Sequence, residues 1–364
     1  MNRRTAAGLA CTILALSISA PAPATATARP EIGDVRQAMR ALAKTPGVVG
    51  AIGEAYYGGR RIGGGTAGSR LIDGAGGKIP TGARYRAWSL TKQLTATVLL
   101  QLVEEGRLGV DDRLSEVLPV VAGQDLVERA DEITVRQMLQ HTSGIPDYTG
   151  HPELRPFDDL TTRHSPLDLA KMSRERPRQQ EPGERFSYSN TNYILLGAVI
   201  ERLTGRTLAE EFQRRLFKPL GMTRTYLPVT PDQGIEGPHG HGYYPGPGGT
   251  VRDVDRMNTS SLWAAGGLVS TSRDLTTFYG ALARDRLLPA RLRKEMTYPV
   301  EEQPVCGGSV TSYRGSGPGG LALTFTSADG RLQFALSATT SIAEQGRVRP
   351  ALQKAAEAVL CPGT

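Results

Sequence analysis

Ser89-Leu90-Thr91-Lys92-Gln93-Leu94-Thr95-Ala96-Thr97-Val98-Leu99-Leu100-Gln101-Leu102-Val103-Glu104-Glu105, stopped by Gly106, reads as one helix. Leu94, Val98 and Leu102 recur every four positions with Leu99 and Val103 alongside, so one face is buried. At its start, Ser89 and Lys92 lie three apart and share a face. A serine at a helix N-terminus sits where free backbone N–H groups and the helix dipole favour a developing oxyanion. Its hydroxyl is a weak nucleophile until a base takes the proton, and a desolvated lysine can serve. The plainer alternative is a capping serine beside a solvated lysine. Of the seven lysines in the chain, only Lys92 has a serine three positions before it.

Around this helix the pattern divides. Before it, residues 48–57 and 60–66, separated by Gly58-Gly59, predict a hairpin. After it come helices: one opened by Thr134 with Gln137 three residues on, a short one near 167–172, and one over 190–203 ending at Gly205. Another is opened by Thr207 with Glu210, and more follow near 272–283 and 289–296. Residues 234–257 form a loop rich in Gly, Pro and His. Short strands return at 309–314, 321–326 and 331–338, before a last helix over about 343–360. Strands at both ends and helices between predict an α+β fold. An antiparallel sheet is built from both chain ends and flanked by terminal helices. The sheet lobe takes about 29–88 and 297–364, and an inserted helical lobe takes about 89–296.

Two further clusters carry polar chemistry. Tyr188-Ser189-Asn190 follows the turn Pro182-Gly183-Glu184, where side chains can line a cleft. A phenol can relay a proton if cations lower its pKa, and an amide can position a substrate carbonyl. The alternative is a capping Asn beside a packed aromatic. Tyr313-Arg314-Gly315-Ser316 lies on a predicted strand, where Gly315 permits close backbone approach and the Ser316 N–H could serve an oxyanion. The alternative there is a Gly-rich turn between strands.

Taken in order, these three elements resemble the serine penicillin-recognising enzymes, which combine Ser-x-x-Lys, Tyr-x-Asn and a Lys/His-x-Gly strand. The linking segments Ile133–Gly144, Phe186–Tyr193, Phe217–Met222 and Ala265–Leu275 are similar to the family's as well, and the resemblance covers about residues 35–361. Within the family the chain looks most like secreted D-Ala-D-Ala carboxypeptidases, which share the Ser-Tyr-Ser-Asn-Thr-Asn run and a late cysteine pair. Class C β-lactamases and related esterases come next. The resemblance implies the β-lactamase/transpeptidase-like fold and acylation of Ser89, followed by deacylation. Lys92 and Tyr188 would share the proton traffic, and Asn190 would hold the acyl amide. Tyr313, Gly315 and Ser316 would line the substrate. Backbone N–H groups of Ser89 and Ser316 would form the oxyanion hole, where losing one donor typically costs about 3–4 kcal/mol. Peptidoglycan-type peptides, other small acyl donors and β-lactams are the expected partners. Neither cofactor nor metal is expected, and the chain is expected to be a monomer.

The third element departs from the family. Tyr313 stands at the Lys/His position and Arg314 at that of a hydroxyl or small residue. Because strands alternate faces, Arg314 is not expected to replace the missing cation. Tyr188 should then be less acidic. The segment Thr297–Val305 is short and shows no counterpart of the carboxylate-binding Arg of carboxypeptidases. An ester, an amide or a β-lactam as substrate, or a catalytically impaired cell-wall-binding relative, are the alternatives.

Composition sets the compartment. Arg3 and Arg4, the apolar run 6–20 and Ala26-Thr27-Ala28 predict a signal peptide over 1–28, a secreted chain over 29–364 and no stable membrane anchor. Cys11 would leave with that leader, so Cys306 and Cys361 remain and are expected to pair. That closure contributes about 3–4 kcal/mol in the chain-entropy model. The net charge of +7 comes from scattered basic residues without interleaved aromatics, which excludes nucleic acid as the expected partner. His239-Gly240-His241 has a metal-like look but no Asp, Glu or Cys at ligand spacing nearby, and reads as a surface loop. His141 reads as a structural histidine, and the absence of any Gly-x-Ser-x-Gly elbow disfavours an α/β-hydrolase.

Overall fold

Strands from both ends of the sequence share one antiparallel five-stranded sheet in the computed structural model, which describes residues 30–246, 248, 250–296, 305–343 and 345–362. The signal peptide expected over 1–28 and most of the short segment, 297–304, lie outside the described residues. The strands are β1 (Val48–Tyr57), β2 (Arg60–Gly68), β3 (Val310–Gly317), β4 (Gly320–Ser327) and β5 (Leu332–Thr340). Their spatial order is β2-β1-β5-β4-β3. The first hairpin therefore docks beside the last strand, with Ala51 opposite Ala338 and Ala55 opposite Phe334. The catalytic-type strand β3 is left at an edge.

The helices that position the site are α1 (Val35–Ala43), α2 (Thr91–Glu104), α3 (Asn190–Thr204), α4 (Ser272–Ala283) and α5 (Arg349–Leu360). The predicted capping boxes at Thr134–Gln137 and Thr207–Glu210 both form, and α3 ends on Gly205 at φ +68°. The α+β expectation holds. Two boundaries differ. Helix α1 lies in a region whose sequence reads as extended; Asp34 caps it by accepting the Arg36 and Gln37 N–H groups, and Val35, Ala38, Met39 and Leu42 form its buried stripe. Helix α5 begins at Arg349 rather than 343, because Pro350 is tolerated only in a first turn.

The sheet separates two cores. On one face α1 and α5 pack Met39, Leu42, Leu352 and Val359 against Phe334 and Leu336. The other core runs through α2, α3 and α4 and includes Leu94, Val98, Ile194, Leu195 and Phe278. Helices on both faces explain why β4 is buried at nearly every position instead of alternating. Cys306 and Cys361 are bonded, with Cα atoms 5.7 Å apart, and tie the entry of β3 to the end of α5.

Candidate active site

Ser89 sits on a 3-10 turn, Trp88–Leu90, that runs directly into α2. Trp88 is buried and has φ +50°, a left-handed conformation that a bulky residue adopts only when its surroundings impose it. The surroundings do so: the Ala87 N–H donates to Leu268 O (2.8 Å), and the Thr91 hydroxyl donates to Trp88 O (2.6 Å) while accepting from Leu268 N (3.1 Å). The turn pushes Ser89 into a cavity of about 1000 Å³ whose lining includes Phe186, Tyr188, Tyr313 and Arg314.

Lys92 lies one turn further on and is fully buried. Its Nζ is 2.7 Å from Asn190 Oδ1, 2.6 Å from Ala265 O and 3.4 Å from Ser89 Oγ. Burial lowers its pKa from 10.5 to about 7, and the nearby Asp147 charge opposes this only in part. A neutral amine has two N–H bonds and one lone pair. The two short contacts are to pure acceptors and take both N–H bonds, so the lone pair is left for the Ser89 hydroxyl. This arrangement can take a proton from Ser89 at neutral pH.

Tyr188 and Asn190 arrive from the segment ahead of α3. The Tyr188 hydroxyl is 2.8 Å from Ser89 Oγ, although the outer part of its ring leaves the residue 40% exposed at the cavity mouth. Burial of the phenol raises its pKa, while the hydrogen bond to Ser89 and the Arg314 charge pull the other way. Tyr188 therefore stays a phenol that can donate a proton, and of the two groups Lys92 is the one able to accept one at neutral pH. Two residues outside the sequence motifs hold this segment. Asp147 Oδ2 accepts from Asn190 Nδ2 (2.9 Å) and N (3.3 Å), which turns the amide oxygen toward Lys92. His141, buried and at φ +56°, stacks on Tyr188 with ring centroids 4.5 Å apart and accepts the Ser189 N–H. Burial, with the Lys92 charge, holds its pKa well below the ordinary value, so it is a neutral structural histidine, as its sequence context suggests. Asp147 carries no motif of its own, and its place between Pro146 and Tyr148 gives the sequence no cue to its role.

The third element closes the cavity. A Cβ on Gly315 would stand 2.1 Å from Ala87 O and 2.9 Å from Ser89 N, and one on Gly317 would stand 2.2 Å from the Trp88 ring. Glycine is what lets β3 lie against the nucleophile's turn, bringing the Ser316 backbone beside that of Ser89. Gly315→Ala should therefore displace the strand, costing about 1–3 kcal/mol of stability. It should also slow acylation at least tenfold, as read from melting curves and β-lactam acylation rates.

Tyr313 and Arg314 both line the cavity. Tyr313 stacks on Tyr279, with ring centroids 4.7 Å apart, and burial raises its pKa, so it fills the Lys/His position with a neutral ring. The Arg314 charge pulls the Tyr188 phenol's pKa down, but it is the smallest of the influences on a group whose pKa burial raises.

The reading of the 234–257 loop needs correction as well. The short ribbon Tyr243–Pro245 with Val251–Asp253 folds Asp253 and Asp255 back onto His241 and His239. Carboxylates distant in sequence are neighbours in space. Among the described residues, no helix is long and apolar enough to cross a membrane.

Residues 35–332 match the family model described as Beta-lactamase. The chain belongs to the beta-lactamase family. Family membership places it among serine hydrolases of the β-lactamase and penicillin-binding type. Penicillin-binding protein 4 of Amycolatopsis lactamdurans is 35% identical over 153 residues, 42% of this chain and 38% of that protein. A putative D-alanyl-D-alanine carboxypeptidase of Escherichia coli (strain K12) is 30% identical over 151 residues, 41% of this chain and 35% of that protein. The match thus spans little more than a third of either curated relative. Among solved structures, a D-stereospecific amidohydrolase from Streptomyces sp. superposes with TM-score 0.73 at 32% identity, over 87% of this chain and 97% of that one. The D-amino acid amidase of Ochrobactrum anthropi SV3, at 24% identity and TM-score 0.73, covers 89% of this chain and 98% of its own and shares the fold.

Proposed function

We propose that this chain is an exported serine hydrolase that forms a Ser89 acyl-enzyme with peptides and amides of D-configured residues, D-Ala-D-Ala carboxypeptidase-like in reaction. β-Lactams would be alternative acyl donors. The observation that carries the reading is the buried Lys92 amine, its Nζ 3.4 Å from Ser89 Oγ and its pKa lowered by burial to about 7. Ser89 Oγ attacks the carbonyl as its proton passes to Lys92, and the oxyanion rests on the backbone N–H groups of Ser89 and Ser316. The C–N bond then breaks, with Tyr188 handing its phenol proton to the leaving nitrogen and regaining one from Lys92. Water repeats the sequence on the ester, releasing the acid and free Ser89. The names of the similar proteins support amide and peptide substrates of D configuration. The disulfide supports export.

Arg185, Arg314 and Arg349 on the cavity wall favour a substrate that carries a carboxylate. A peptide ending in free D-Ala-D-Ala should be cleaved on the order of tenfold or more faster than its C-terminal amide, the worth of one charge-assisted hydrogen bond. Arg314→Gln should remove that preference. Tyr313 favours a second reading, an esterase or β-lactamase indifferent to the carboxylate. Equal rates on the acid and the amide, or nitrocefin and p-nitrophenyl esters turned over faster than either, would decide for it.

A further inference from the structure

We propose that His239, His241 and Asp255 bind one divalent transition-metal ion of the Zn²⁺ kind, behind the turn that carries Ser89. One ring nitrogen from each histidine and a carboxylate oxygen of Asp255 lie within 4.8 Å of one another. Three protein ligands of two imidazoles and a carboxylate, with water in the fourth place, suit such an ion.

The hydrogen bonds around the cluster assign the tautomers. His239 Nδ1 is 2.6 Å from Gly237 O, and a carbonyl only accepts, so the Nδ1 proton is fixed there. The other nitrogen, Nε2, is 2.7 Å from Asp255 Oδ1. That 2.7 Å is a hydrogen-bond distance, so an ion entering the cluster would displace this contact and part the two atoms to the spacing of ligands on one ion. On His241, Nδ1 is 2.7 Å from Asp253 Oδ2, which fixes the proton on Nδ1 and the lone pair on Nε2. On each histidine Nδ1 faces an oxygen, the kind of contact that orients metal-binding histidines, and an ion would take the Nε2 atoms, displacing the contact of His239 Nε2 with Asp255. The cluster is also sheltered: His239 is buried, and His241 and Asp255 are half-buried.

Its position gives the ion a consequence. The Arg86 guanidinium, two residues before Trp88, donates to the backbone O of Asp255 at 2.6 Å and leaves that residue's carboxylate for the ion. The loop lies against the β3–β4 turn, where a Cβ on Gly242 would meet Gly319 O at 2.4 Å. A bound ion would pin residues 239–255 to the back of the nucleophile's turn.

The test titrates the full chain, stripped by chelator, with Co²⁺ and then Zn²⁺. One Co²⁺ per chain with visible d–d absorption is expected, and saturating Zn²⁺ should raise the melting temperature by about 5 °C. His241→Asn, at a partly exposed position, should abolish the Co²⁺ spectrum with the far-ultraviolet circular dichroism unchanged. Asp253→Asn, which removes only the partner of a ligand, should weaken binding about 10–100-fold and serves if His241→Asn does not fold. No saturable Co²⁺ spectrum at millimolar metal, or a spectrum unaltered in both variants, overturns the proposal and leaves the cluster as hydrogen-bonded histidines and carboxylates.

Discussion

Ser89→Ala removes the covalent adduct with penicillin and lowers turnover of every acyl donor on the order of 10⁶-fold, the scale seen when a nucleophile is deleted from an acyl-transfer site. The reasoning is local. Within the cavity Ser89 is the hydroxyl that touches both the 2.8 Å phenol of Tyr188 and the amine of Lys92, so no neighbour inherits its role. Its side chain is half-buried and packs no core, so the variant should melt at the wild-type temperature and still bind substrate reversibly. Intact-mass measurement after exposure to penicillin reads the result directly. An adduct of undiminished yield in Ser89→Ala would move the nucleophile elsewhere and dismantle the proposed chemistry.

The second large effect belongs to Lys92. Lys92→Met, close in volume and uncharged, should lower kcat/KM by about 10²–10⁴-fold, because it deletes the base while keeping the packing. Wild-type kcat/KM should rise tenfold per pH unit up to about 7 and then level, since the neutral amine is the active form and its pKa lies at about 7. That acid limb should vanish in Lys92→Met. Lys92→Arg separates charge from basicity: it keeps a permanent cation and should be as inactive as Met. Stability carries the same signature with a definite sign. Between pH 7 and 10.5 the unfolded lysine still holds a proton that the folded one has released, so folding stability gains from rising pH across that window. Lys92→Met should flatten this slope in denaturant titrations at pH 7 and 9. A wild-type rate profile flat from pH 5 to 8 would speak against a neutral lysine base.

The sequence made the chemistry legible where it is local and obscured it where it is assembled from afar. Ser89 and Lys92 share one helical turn, and Tyr188 and Asn190 share the entry to another; each spacing alone also fitted a capping residue, and it was the order of the motifs that pointed to one site. Helix starts were readable because capping boxes such as Thr134–Gln137 are written in neighbouring residues. Asp147, which orients Asn190 from 43 residues away, is invisible to periodicity. His239-Gly240-His241 was read as a surface loop because the Asp255 carboxylate reaches His239 only once the 243–253 ribbon closes. Helix α1 was missed although Val35, Ala38, Met39 and Leu42 recur at helical spacing behind an Asp34 cap, because the glycine-rich stretch that follows drew the reading toward strands.

The sheet order has a consequence for when chemistry becomes possible. Strand β1 must wait for β5 before it gains its second neighbour, and β3 reaches the flank of Ser89 only after more than two hundred intervening residues have been made. Such pairings form late, because the chain has to close a long loop before they repay it. With Ser316 as the oxyanion donor proposed above, Ser89 is made early and gains that donor only when the final strands dock, so acyl-transfer competence would be among the last properties the polypeptide acquires.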